Sequence, residues 1–203
     1  MDQSVRGLTV PGILDALVRD LGGDPVHLVG HDLGAVIGWH FAQQYREKSL
    51  TLTMIGTPRL DQYVANLPRL DALGLLNYRR ALESHDPREK LPDGAILTEL
   101  EAQMGLAERL ARHRAAANPV AVTSLYRDMT ARAVPAWRQG AGIPVLQLLG
   151  GEDPYFPHQL FAQPGASSVD TVETCVLSAA GHWPMLTHKE ECAAAIQDVF
   201  GVP

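Results

Sequence analysis

Residues 27–38, HLVGHDLGAVIG, carry an apolar segment into an aspartate, Asp32, and then directly into a second apolar segment. Aspartate is among the best helix N-cap residues, and Asp32 stands where a helix begins, so capping alone accounts for a carboxylate at this point. The glycines on either side open a second reading. Gly30 and Gly34 each lie two residues from Asp32, the spacing of a sharp strand-to-helix turn whose central residue takes a strained conformation and projects its side chain above a sheet. Gly38, one turn after Gly34, lets the helix pack close on that sheet. The pattern is that of a nucleophile elbow with Asp in the place more often held by Ser.

Working outward, Ile13, Leu14, Leu17 and Leu21 recur at helical spacing within residues 10–21, and Gly22-Gly23 supplies the stop. Asp24-Pro25 opens a short β-branched and apolar run, Val26 to Val29, read as a buried strand. The stretch from Leu33 to Tyr45 follows as a helix. Residues 49–55 (SLTLTMI) form a second predicted strand ending at Gly56-Thr57-Pro58. Strand signals return at residues 144–149 (PVLQLL) and 172–177 (VETCVL), and residues 189–200 close the chain as a helix. Strands alternating with helices imply an α/β fold, a parallel sheet flanked by helices. Residues 58–142 differ: rich in Leu, Ala and Arg, broken by Pro68, Pro87, Pro92 and Pro119, they carry no convincing strand and read as a helical insertion. The expected division is therefore a core of residues 1–57 and 143–203 and an inserted segment of residues 58–142.

Composition narrows the function classes. The 203 residues are 46% hydrophobic and 20% charged, with a net charge of -6, and the basic residues are scattered rather than gathered on one face. Nucleic acid is not an expected partner. Two cysteines, Cys175 and Cys192, are too few for a disulfide framework or a metal cluster and read as buried thiols. His85, His113, His158 and His188 show no metal-ligand spacing, so no metal and no cofactor are expected. The N-terminal residues lack the basic flank and apolar core of a secretory signal, and no apolar run has membrane-spanning length. The expectation is a soluble cytoplasmic protein.

An elbow nucleophile implies partners downstream in the order nucleophile, acid, histidine. Asp153 follows the strand PVLQLL in GGEDP, at the ligand-facing end of a parallel sheet; its plain alternative is a turn-forming Asp-Pro. His182 follows VETCVL in AAGHWP; its plain alternative is a structural histidine. The order and the strand-end placement of all three favour a shared site.

At these residues the sequence resembles the α/β-hydrolase superfamily, in the branch with an aspartate nucleophile, the epoxide hydrolases and haloalkane dehalogenases. The resemblance rests on VHLVGHDLGA, LLGGEDPYFP and AAGHWPMLTHKEE, and on NPVAVTSLYRDM at residues 118–129, which is similar to the cap segment of epoxide hydrolases. It implies a partial α/β-hydrolase fold with a helical cap insertion, acting on an epoxide or other small electrophile. Asp32 is then the nucleophile, His182 the base, Asp153 its orienting acid, and the Leu33 backbone N–H an oxyanion donor. Tyr126 matches a cap tyrosine that protonates the epoxide oxygen; otherwise it is a helical tyrosine packing between cap and core. Tyr78 is the one candidate for a second such tyrosine and has no motif behind it. His31 and Trp183, with Tyr78, are candidate substrate-contacting residues, and His31 also reads as structural. A dehalogenase commonly places an indole N–H directly after the nucleophile, and Leu33 has no such donor, so epoxide is preferred to halide.

The resemblance begins in mid-fold. Only nine residues precede the first helix, and no HGxP loop, the usual source of the second oxyanion donor, is present. The absent strands would pair with Val26 to Val29, which predicts an uncovered strand edge. Three readings stay open: an internal start within a longer reading frame, partner strands acquired from another chain as in a homodimer, or a non-catalytic remnant.

Overall fold

In the computed structural model, residues 10–84, 139–162 and 172–201 are described. The elements run α1 (Val10–Asp20), β1 (Val26–His31), α2 (Leu33–Gln44), β2 (Ser49–Ile55), α3 (Leu60–Ala72), α4 (Asn77–Ser84), β3 (Val145–Gly150), β4 (Val172–Leu177), α5 (Pro184–Thr187) and α6 (Lys189–Phe200). The four strands make one sheet in the order β1-β2-β3-β4, and every pair is parallel. Parallel strands need crossovers, and α2 supplies the one between β1 and β2. The chain divides into two compact units, residues 1–65 with 138–203, and residues 66–137. The sheet belongs to the first; of the second, α4 and the end of α3 are described.

Both faces of the sheet are covered at its central strands. On one face α2 lies so close that a Cβ on Gly38 would stand 2.8 Å from Leu52 Cδ1. On the other, α6 packs Cys192, Ala195, Ile196 and Val199 against Ile55, Leu146 and Leu148. The central strands β2 and β3 are buried almost throughout. Even Gln147 of β3 is fully buried; its carbonyl oxygen accepts the Arg59 backbone N–H at 2.6 Å and its amide donates to the Phe161 carbonyl at 2.9 Å. A polar group in mid-sheet is tolerated because its hydrogen bonds are made.

Three expectations need correction. β1 is not a buried strand: it stands at the sheet edge beside β2, and Val29 is 58% exposed. In α1 the stripe Ile13 and Leu17, with Leu21 just beyond the helix, is exposed, and Gly12, Asp15 and Val18 are buried instead. The helix turns this opposite face to α2, and the buried Asp15 carboxylate is paired with Arg19 at 2.8 Å and with Lys48. Cys175 is only half-buried, whereas Cys192 is buried and its thiol is pushed up to about 11 by desolvation. Among the described residues no helix is long and apolar enough to cross a membrane, and no group of His, Cys, Asp and Glu could hold a metal ion.

Candidate functional site

The site is built at the C-terminal ends of β1, β3 and β4. Asp32 follows β1 directly and has φ 49° and ψ -119°, the one positive φ of a non-glycine residue among those described. Such a conformation costs on the order of 1–3 kcal/mol and persists only where the surroundings impose it. What imposes it is close approach: a Cβ on Gly30 would fall 2.5 Å from Ala35 N and from the Gly34 carbonyl, so strand and helix can meet at this angle only over a bare glycine. Gly34 is different from its sequence reading, because a Cβ there meets nothing within 4 Å. The capping explanation of Asp32 also fails, since its side chain makes no cap hydrogen bond. Its backbone carbonyl accepts from Ala35 and Val36 instead. Leu33 opens α2, where no helical carbonyl stands four residues back to accept its N–H.

Asp153 and His182 are brought together. Both are buried, and His182 Nδ1 lies 2.8 Å from Asp153 Oδ2. Asp153 Oδ1 accepts the backbone N–H groups of Tyr155 at 2.7 Å and Phe156 at 3.0 Å. One Asp153 oxygen therefore serves the turn and the other meets His182. With the carboxylate ionised, the imidazole carries its proton on Nδ1, and Nε2 is left as an acceptor.

The loops bearing these two residues are clasped by glycines. A Cβ on Gly150 would stand 2.1 Å from the Gly181 carbonyl, and one on Gly151 2.3 Å from the Ser178 carbonyl. Gly151 and Glu152 donate their N–H groups to Leu177 and Ala180. His158 joins the same turn, its Nδ1–H donating to the Gly151 carbonyl at 3.2 Å.

His31, just before Asp32, reaches across to His182: its Nε2–H donates to the His182 backbone carbonyl at 2.9 Å, and the two rings lie 4.9 Å apart. Burial and the neighbouring His182 lower the His31 pKa, partly offset by that hydrogen bond and by Asp32 and Asp153. Trp183 packs edge-on against the His182 ring at 4.9 Å and is itself buried. The Tyr78 side chain and the whole of Tyr126 lie outside the described residues. Sequence reading passed over Tyr155 and Phe156, whose rings lie 5.0 and 5.8 Å from that of His182. Their signal was the aromatic pair directly after the acid in EDPYFP.

A model of an alpha/beta hydrolase family matches residues 4–195. No curated protein matches the chain. Among solved structures, the chain is similar to a mutant epoxide hydrolase from Bacillus megaterium complexed with its product, at 19% identity and a TM-score of 0.74, over 95% of this chain and 75% of that one. It is also similar to a juvenile hormone epoxide hydrolase from the silkworm Bombyx mori, at 16% identity and a TM-score of 0.66, over 96% of this chain and 60% of that one. A putative non-heme bromoperoxidase from Mycobacterium tuberculosis is similar at 15% identity and a TM-score of 0.55, over 96% and 75%. At these identities the likeness is one of fold, and the fold hosts more than one chemistry.

Proposed function

This chain belongs to the alpha/beta hydrolase family, and we propose that it opens epoxides through a covalent ester on Asp32. One observation carries the reading: the residue in the strained turn after β1 is a carboxylate that makes no cap hydrogen bond, and a hydrogen-bonded histidine–aspartate pair follows β4 and β3 at the same end of the parallel sheet. A serine at this position must lose a proton before attacking, whereas an aspartate is already ionised and can displace a leaving group from an sp3 carbon.

In the first step one Asp32 oxygen bonds to an epoxide carbon as the ring C–O bond breaks. The resulting alkoxide takes a proton from a phenol, assigned by its motif alone to Tyr126 in the proposed cap of residues 58–142. In the second step His182 Nε2 removes a proton from water, and the oxygen of that water attacks the ester carbonyl carbon of Asp32. The Leu33 N–H donates to the oxyanion that forms. Collapse expels the diol, which takes its proton from the imidazolium; the carboxylic acid left on Asp32 then gives its proton, through water, to the phenolate, restoring carboxylate and phenol together. Asp153 holds the tautomer that leaves Nε2 free. Leu33 offers no side-chain donor to a departing halide, so epoxide is preferred to haloalkane.

A single turnover of an aryl epoxide in 18O-labelled water tests the reading. Ester chemistry places the label in the Asp32 carboxylate and leaves the first diol unlabelled. Label in the diol, with none in the protein, would show direct attack by water and end the proposal.

A further inference from the structure

We infer that His31 is a positioning residue that holds the base to the nucleophile's strand. The inference rests on the reading of Asp32 and His182 above, and its geometry is independent of any substrate. His182 follows β4, and Asp32 follows β1, at opposite edges of the sheet. Nothing in the ladder order β1-β2-β3-β4 ties those ends to each other. Among the described residues a side chain bridges them: His31 Nε2–H donates to the His182 carbonyl at 2.9 Å, over Gly56, where a Cβ would stand 2.5 Å from that same carbonyl and 3.2 Å from the His31 ring. Gly56, whose φ of 58° favours glycine, keeps the path open by having no side chain.

The bond fixes two properties. Donation to a carbonyl requires the proton on Nε2, and partial burial beside His182 lowers the His31 pKa, which disfavours a second positive charge facing the imidazolium that forms on His182. It also anchors the main chain of the residue whose Nδ1 must stay on Asp153. A misplacement of about 1 Å at a reacting group costs on the order of 100-fold in rate.

The test compares His31→Phe, which keeps a ring and loses the donor, with His31→Gln, whose amide nitrogen can stand near the same place. The first readout is NMR of the free protein: the slowly exchanging Nδ1 proton of His182 in its bond to Asp153. We expect that proton to exchange rapidly in His31→Phe and to be retained in His31→Gln. The second is the split between steps with an aryl epoxide: ester formation on Asp32 unchanged, and ester hydrolysis slowed by about 100-fold in the phenylalanine variant and recovered in the glutamine one. Should the phenylalanine variant fail to fold, His31→Asn, whose amide stops one bond short, gives the same contrast with Gln. An unaltered His182 proton in the donor-free variants, or equal behaviour of all variants, overturns the inference. Loss of the proton without any ester in the wild type would uphold the positioning role and refute the epoxide reading.

Discussion

Asp153 divides its two carboxylate oxygens between a turn and His182, 2.8 Å from Nδ1 on one side and accepting the N–H groups of Tyr155 and Phe156 on the other. Asp153→Asn separates the two duties. The amide oxygen can keep the turn, but its NH2 then faces Nδ1, and the imidazole proton moves to Nε2. Ester hydrolysis is expected to fall on the order of 10⁴-fold with the fold intact, and rapid-quench separation of the two steps checks it. An equal loss in ester formation would place Asp153 outside the base's support.

Asp32 in a positive-φ turn predicts a conflict between stability and activity. Asp32→Gly removes the strain and should raise stability by about 1 kcal/mol in urea unfolding while abolishing turnover. Asp32→Asn should change stability little, because Asn tolerates positive φ nearly as well, and should likewise form no ester. Turnover in the asparagine variant would reduce Asp32 to a structural residue.

Gly150→Ala places a methyl where only 2.1 Å separates it from the Gly181 carbonyl. The backbone of one loop must move, at a cost on the order of 1–3 kcal/mol, and His182 moves with its loop. The thermal midpoint and the hydrolysis step should fall together. Gly34→Ala, by contrast, meets open space and should leave both unchanged.

Acidification should destabilise the fold through His31. Its folded pKa lies below the ordinary value of about 6.5, chiefly because the half-buried ring is desolvated and secondly because of His182. The unfolded chain therefore binds a proton that the folded chain resists. This contribution is complete above the ordinary pKa and is lost as the pH falls from there toward the lowered one. His31→Gln should flatten that part of the profile of unfolding free energy against pH. An unchanged slope would contradict a lowered His31 pKa in the folded chain.

Much of this was legible in sequence for physical reasons that particular residues display. β2 and β4 were read at their observed bounds because turn residues bracket compact apolar runs, and α6 because its apolar face repeats at helical spacing up to Gly201, whose φ of 63° ends it. The order Asp32, Asp153, His182 was legible because each follows a strand. Burial was not. Periodicity finds an apolar stripe on α1 but not which neighbour meets it, and here Asp15 and Val18 face inward while Leu17 and Leu21 face out. The His31 link was also hidden, since a contact between residues 31 and 182 leaves no local pattern.

The central claim is an ester on Asp32, and trapping it is the most direct measurement. Changing His182 to Gln removes the base of the second step and leaves the first intact. After incubation of that variant with a simple aryl epoxide, intact-mass analysis should show a gain equal to one epoxide, and peptide mapping should place it on the fragment containing Asp32. No gain on a folded protein, or a gain mapped to another residue, would contradict the account.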